Sequence, residues 1–146
     1  MDTQGKHLLA EYKNCDPYIL NSIDQIDALL CQAARDSGAT VLFKKFHSFS
    51  GHGVSGVVVV EESHLSIHTW PEKSYAAVDV YTCGVCEPLL AHETLREGLK
   101  AEDVDLLLAH RGQLNDSCSI RIDSAEKGLP MRSPKISPRQ VPVDYS

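Results

Sequence analysis

Side chains suited to nucleophilic and acid–base chemistry are concentrated between residues 51 and 84. Ser63 offers a hydroxyl nucleophile, His68 an imidazole that titrates near neutral pH, and Cys83 a thiol that can carry a proton. If residues 63–70 are extended, alternate side chains share a face. One face would then carry His64, Ser66, His68 and Trp70, and the other Ser63, Leu65, Ile67 and Thr69. The segment predicts a reactive site on a sheet.

Spacing alone leaves three interpretations of this segment open. A hydrolytic serine–histidine site would need an oxyanion hole, and the chain has no Gly-x-Ser-x-Gly elbow. A zinc site could use the Cys-x-x-Cys motif of residues 83–86 with two histidines; its ligands would be His64, His68, Cys83 and Cys86. The same motif ahead of Pro88 resembles the start of a thioredoxin-like redox helix, but a βαβ context is missing.

The surrounding patterns predict the elements that position these groups. Asp16 and Pro17 are typical of a helix start, and apolar residues then recur at helical spacing until Gly38. A second helix is predicted over residues 88–99. Period-two alternation and turn residues predict strands at 6–14, 41–46, 54–61, 65–70, 75–81 and 104–109. The order indicates an α+β two-layer sandwich, an antiparallel sheet with two helices on one face.

Length and composition favour one acidic domain. The chain has 146 residues and a formal charge of −6, which argues against a nucleic-acid partner and fits a small-molecule substrate. Residues 1–123 are predicted to form the domain, and residues 124–146, with a proline at every fourth position from Pro130 to Pro142, an extended tail. The sequence lacks a membrane-length apolar run and a secretory signal, and its five scattered cysteines do not suggest disulfide pairing, so we expect a cytoplasmic protein.

Three consecutive stretches carry a resemblance to a known family. They are residues 53–60 (GVSGVVVV), 62–72 (ESHLSIHTWPE) and 75–84 (YAAVDVYTCG). Together they closely resemble the prokaryotic pyruvoyl-dependent S-adenosylmethionine decarboxylases. The similarity extends more loosely through Cys15-Asp16-Pro17, over about the first 110 residues, which is far more specific than a single short motif.

The resemblance implies a proenzyme that cleaves itself between Glu62 and Ser63 into chains of residues 1–62 and 63–146. The Ser63 hydroxyl would attack the Glu62 carbonyl to give an ester, and loss of the Ser63 α-proton would release the upstream chain. The dehydroalanine that remains would tautomerise and be hydrolysed to a pyruvoyl group. By the same resemblance, Ser55 supports the tetrahedral intermediate and His68 accepts the α-proton.

The resemblance also implies how the processed enzyme works. The pyruvoyl cofactor, derived from Ser63, would form a Schiff base with the substrate amine and accept the electrons released with CO₂. Cys83 would be the proton donor in catalysis, and no metal is expected. The substrate-binding residues implied are Phe49, Leu65, Ser66, His68 and Glu72, with adenine stacked between Phe49 and His68 and the ribose held by Glu72.

A homodimer of processed protomers, with sites built across the subunit interface, is a further implication, and the product would be the aminopropyl donor for spermidine synthesis. Lys73-Ser74 follows Glu72 where the family usually has a residue and then glycine, which bears on substrate identity. Relatives that decarboxylate arginine or ornithine are therefore the first alternative. A non-catalytic or metal-binding module with the same fold is the second.

Overall fold

A computed structural model describes residues 3–61, 63–114, 117–130 and 140–145. These residues form one antiparallel sheet in the strand order β2-β3-β4-β5-β1-β6-β7-β8, with helices packed on it. The strands are β1 (Gly5–Lys13), β2 (Val41–Ser48), β3 (Val54–Val60), β4 (Ser63–Trp70), β5 (Tyr75–Cys83), β6 (Asp103–Leu114), β7 (Ser117–Pro130) and β8 (Gln140–Tyr145). The predicted α+β two-layer architecture is confirmed.

The helices are α1 (Pro17–Leu20), α2 (Ile23–Asp36) and α3 (Pro88–Leu99). The prediction of one continuous helix from Asp16 to Gly38 is wrong, because Ser22 is extended and its hydroxyl caps a new helix by accepting a hydrogen bond from the Gln25 amide. The predicted second helix, α3, has the expected bounds, with Pro88 in its first turn. In the described part of the chain, no helix is long and apolar enough to cross a membrane.

Alternation along the central strands separates a buried face from an open one. In β4, Leu65 and Ile67 are fully buried in the core formed with the helices, whereas His68 is exposed. The neighbouring strands follow the same period, and their buried residues include Leu8, Ala10, Tyr12, Ala76, Val78 and Val80. We call the opposite side, which carries His64, Ser66 and His68, the open face.

The C-terminal part of the chain differs from the prediction. Residues 124–130 are not the start of a separate tail; they belong to β7, which pairs with β6, and β8 pairs with β7 in turn. Residues 131–139 lie outside the described residues. Most described side chains of β7 are exposed or half-buried, so main-chain pairing rather than an apolar pattern defines this strand. The predicted boundary at residue 123 therefore does not coincide with the end of the sheet.

One buried pair links the sheet to α3 and makes stability depend on pH. The Tyr12 hydroxyl lies 2.6 Å from His92 Nδ1, and both side chains are fully buried. Burial, reinforced by nearby Arg96, lowers the pKa of His92 to about 4. The folded state thus holds a neutral imidazole over a pH range in which the unfolded chain would take up a proton.

We predict that this pair makes the protein less stable as the pH falls from about 6.5 to about 4. Over that range His92 alone should lower the free energy of unfolding by about 1.4 kcal/mol per pH unit. Urea unfolding at a series of pH values measures the slope, and His92→Gln, which cannot titrate, should show a shallower one. Parallel pH profiles for the two proteins would contradict the prediction.

Candidate active site

The start of β4 and the end of β5 bring a hydroxyl and a thiol together. The Ser63 hydroxyl donates a hydrogen bond to Cys83 Sγ, with 3.1 Å between the two heavy atoms. Both residues are half-buried, and β5 also places Cys83 opposite Gly5 of β1. Glu62, the residue predicted to precede the cleaved bond, lies outside the described residues. The described half of the predicted cleavage site is therefore in contact with the predicted proton donor.

The other end of β4 brings together the second pair of predicted catalytic residues. Ser55 of β3 is the cross-strand partner of His68, and its Oγ lies 2.8 Å from His68 Nδ1. This pair lies in a hollow of about 650 Å³ beside the turn between β2 and β3. The hollow is lined by His47, Ser48, Phe49, Ser50, His52, Ser55, His68, Thr69 and Trp70.

These two pairs are well separated within one chain. Ser63 and His68 are five residue steps apart on β4, and a strand rises about 3.3 Å per residue, so their Cα atoms are about 16 Å apart. Within the chain, His68 is therefore too far away to take a proton from residue 63. The sequence prediction assigned both residues to one site. In the structure of a single chain they lie on the same strand but not within reach of each other.

The predicted substrate-binding residues divide in a similar way. Phe49, with about half of its surface exposed, lines the same hollow as His68. Glu72 is exposed on a short 3₁₀ turn, Pro71–Lys73, directly after β4. Ser66 lies midway along β4 and donates a hydrogen bond to Asp79 at 3.2 Å. Leu65, however, is buried in the core on the helix side, so its side chain does not line a pocket of the open face.

Sequence reasoning missed a polar cluster that lies between the two pairs on the open face. His7 Nε2 lies 3.1 Å from Asp79, and Arg111 donates to His7 Nδ1 at 3.1 Å. Because arginine can only donate, Nδ1 must be the acceptor and Nε2 carries the proton given to Asp79. The Arg111 guanidinium also lies 4.5 Å from the ring centroid of Tyr81. Alternation along β5 could have placed Asp79 and Tyr81 beside Cys83, but nothing local indicates that β1 and β6 supply the partners.

The cluster changes the acidity of its members. The hydrogen bond from His7 is the main cause that lowers the pKa of Asp79. Burial, with further contributions from His7 and Arg111, lowers the pKa of His64, while the Asp79 carboxylate opposes that shift. Asp79 is thus held as the central negative charge of this part of the face.

Two of the sequence alternatives gain no support from this geometry. In the ranges that the structure describes, no group of three or more histidine, cysteine, aspartate or glutamate side chains could hold a metal ion, so the zinc set His64, His68, Cys83 and Cys86 does not converge. The paired strands around the Cys-x-x-Cys motif are antiparallel, so a thioredoxin-like βαβ unit is not formed there.

One end of β4 has a hydroxyl in contact with a thiol, and towards its other end the open face has a second hydroxyl in contact with an imidazole. These are the parts that a self-cleaving lyase needs: a nucleophile, a proton donor and a base. Comparison with known proteins agrees with that class. A family model described as S-adenosylmethionine decarboxylase matches residues 6–112. The chain belongs to this family.

Individual relatives support the assignment. The S-adenosylmethionine decarboxylase proenzyme of Thermotoga petrophila is 46% identical over 128 residues, covering 87% of this chain and 98% of the relative. The proenzyme of Geobacillus kaustophilus is 46% identical over 112 residues, covering 77% and 90%. The crystal structure of the adenosylmethionine decarboxylase from Aquifex aeolicus superposes with a TM-score of 0.71 at 32% identity, covering 80% of this chain and 98% of that one.

We predict that Asp79→Asn lowers the pKa of His64 further, because the carboxylate is the neighbouring charge that raises it. Titration of the His64 ring protons by NMR measures the change. Asp105→Asn is the matched control, since Asp105 pairs with Lys13 at 3.0 Å, away from the cluster, and should leave the His64 titration where it was. Equal effects of the two substitutions would contradict the arrangement described here.

Proposed function

We propose that this chain is a self-processing, pyruvoyl-dependent decarboxylase of S-adenosylmethionine that supplies the aminopropyl donor for spermidine synthesis in the cytoplasm. The observation that carries the proposal is the 3.1 Å contact between Ser63 Oγ and Cys83 Sγ at the start of β4. It joins the residue that would become the cofactor to the residue that would supply a proton to the substrate.

The residues around Ser63 fit a pyruvoyl group at this position. The side chain is half-buried at a strand end, where it is accessible to a substrate yet held by pairing with Val60 of β3. When formed, the group would supply a carbonyl that condenses with an amine and accepts the electrons released with CO₂. The thiol of Cys83 would deliver the proton that replaces the departing carboxylate.

Cleavage requires protein side chains and water, and no other reagent. The Ser63 hydroxyl attacks the Glu62 carbonyl, which converts the peptide bond into an ester and frees the Ser63 nitrogen. A base then removes the Ser63 α-proton, the ester C–O bond breaks, and residues 1–62 leave with a free carboxylate. The dehydroalanine left at position 63 tautomerises to an imine, which water hydrolyses to the pyruvoyl group with release of ammonia. His68 of a partner chain is our candidate for that base, and the contact of His68 with Ser55 supports this role.

The Ser55–His68 contact can set which nitrogen acts. If Nδ1 carries the proton and donates it to Ser55 Oγ, Nε2 has a free lone pair and can accept the α-proton. Ser55 then has two functions in the proposal: it orients the imidazole, and its hydroxyl is available to the oxyanion of the attacked carbonyl.

The hollow beside the β2–β3 turn suits a nucleoside with a cationic sulfur. Phe49 and His68 offer ring surfaces between which adenine can stack, and the Trp70 and Tyr75 rings stack on each other nearby at 5.1 Å. Aromatic faces attract a sulfonium cation. The exposed carboxylate of Glu72 can accept hydrogen bonds from the ribose hydroxyls. Ser66 belongs to the same proposed site, whereas Leu65 could contribute only through its backbone.

The separation of about 16 Å along β4 supports a homodimer with shared sites. A two-fold axis parallel to the open face and at right angles to β4 would stack two open faces and bring Ser63 and Cys83 of one chain onto Ser55 and His68 of its partner, and the symmetry repeats the contact to make a second equal site. Each site would then take its cofactor and proton donor from one chain, and its base and adenine pocket from the other.

The alternatives from the sequence are less well supported. The relatives described above carry S-adenosylmethionine decarboxylase names, which favours that substrate over arginine or ornithine. A non-catalytic or metal-binding module would not need Ser63 and Cys83 in contact.

The first test is cleavage. Wild-type protein should separate into two chains by intact mass and release CO₂ from S-adenosylmethionine, with none from arginine or ornithine. Ser63→Ala should remain one full-length chain without activity, because the attacking hydroxyl is gone. Ser66→Ala, three residues further along β4, is the control and should still be cut. Cleaved Ser63→Ala protein would rule out the mechanism.

The second test is complementation between chains. Ser63→Ala and His68→Ala, each inactive alone, are co-expressed with different tags, and the heterodimer is isolated through both tags. Shared sites leave one intact site per heterodimer, so the His68→Ala chain should be cut and activity should reach about half of the wild-type value per dimer. A heterodimer in which neither chain is cut would exclude sites shared in this way.

A further inference from the structure

Cys83 has a second cysteine within reach, at the far end of the turn that follows β5. The Cys86 amide donates to the Cys83 carbonyl at 3.4 Å, which closes a four-residue turn over residues 83–86. Gly84, the second residue, has a φ of +64° that favours glycine. The ends of a β-turn have Cα atoms within about 7 Å of each other, and a disulfide spans Cα atoms about 4.4–6.8 Å apart.

The turn is anchored at one end and open at its tip. The Glu87 amide donates to the Ser37 carbonyl at 2.9 Å, and Cys86 Sγ faces Gly38, so Cys86 is held against the C-terminal end of α2. Gly84 and Val85 at the tip are exposed, with the Val85 side chain in open solvent. A small oxidant can therefore approach the two sulfurs, while the backbone holds them close.

We propose that Cys83 and Cys86 are a reversible oxidation site, at which a low-molecular-weight disulfide converts the two thiols into an intramolecular disulfide and stops turnover. The link to turnover rests on the function proposed above, because the oxidised Cys83 sulfur has no proton to give. Cys83 would have two mutually exclusive partners: it contacts the group at residue 63 when it is reduced, and it is bonded to Cys86 when it is oxidised.

The exchange balances without any further reactant. The thiolate of one cysteine attacks the small disulfide and forms a mixed disulfide, releasing one small thiol. The thiolate of the second cysteine then attacks the protein sulfur, forms the internal bond and releases the other small thiol. Two protein thiols are oxidised, one small disulfide is reduced to two thiols, and a dithiol reverses both steps.

The remaining cysteines do not offer a comparable pair. Cys15 and Cys31 are buried, and burial raises the pKa of Cys15 to about 12, which keeps it as an unreactive thiol. Cys118 is exposed on β7 and lies outside the turn. Burial and the neighbouring Cys83 both raise the pKa of Cys86, which is consistent with two sulfurs close together.

The test titrates purified, processed protein with glutathione buffers of increasing disulfide-to-thiol ratio. Peptide mapping by mass should find Cys83 and Cys86 linked in the wild type, without retained glutathione, and activity should fall in parallel and return with dithiothreitol. Cys86→Ser can form only a mixed disulfide. Its inactivation should need a glutathione disulfide-to-thiol ratio about tenfold higher than the wild type needs, because the wild type has an intramolecular thiol that acts at high effective concentration.

Cys118→Ser is the matched control and should respond as the wild type does. Absence of the linked peptide, or inactivation of Cys86→Ser at the wild-type ratio, would overturn the proposal. Because linkage is read by mass, the two proposals fail separately: a protein that forms the link but has no activity even when fully reduced contradicts the function, and an active protein that never links contradicts the oxidation site.

Discussion

Antiparallel pairing of β4 with β3 on one side and β5 on the other is the constraint on which the rest of the structure depends. Burial of Leu65, Ile67 and Thr69 beneath the helices fixes the register, because a slip by one residue would exchange the two faces of the strand. The same register places Ser55 opposite His68. Core packing and the geometry of the site are therefore determined by one set of hydrogen bonds.

The polar cluster on the open face shows how a charged surface can be prepared for burial. Covering a charge is costly when it has no partner. Here Asp79 already accepts hydrogen bonds from His7 and Ser66, and Arg111 is paired with both His7 and the Tyr81 ring. A second chain packed on this face would meet charges that are already compensated within the first, while the two reactive pairs remain available at either end.

Sequence reasoning succeeded where the signal was local. The alternation of residues 65–70 and 75–81 and the Pro88 start of α3 are short-range patterns, and the structure has those elements. The break before α2 was missed because a serine is only mildly unfavourable inside a helix, so Ser22 does not by itself indicate a helix end. The hydrogen bond that its side chain accepts from the Gln25 amide shows that it caps a new helix. Strands β7 and β8, and the partners that His7 and Arg111 give to the site, depend on pairing between distant segments, which no local pattern reveals. The individual roles of Ser55, Ser63, His68 and Cys83 came from the resemblance, not from spacing.

The strand order also governs what becomes of a chain that has been cut before Ser63. The upstream piece contributes β2 and β3 at one edge and β1 in the interior, between β5 and β6 of the downstream piece. Pulling it out would break the β3–β4, β5–β1 and β1–β6 ladders together and strip Leu8, Ala10 and Tyr12 from the core. The upstream piece could then dissociate only if the whole fold unfolded. The cut protein should therefore remain a stable complex of its two chains, and these chains should not exchange with those of other molecules.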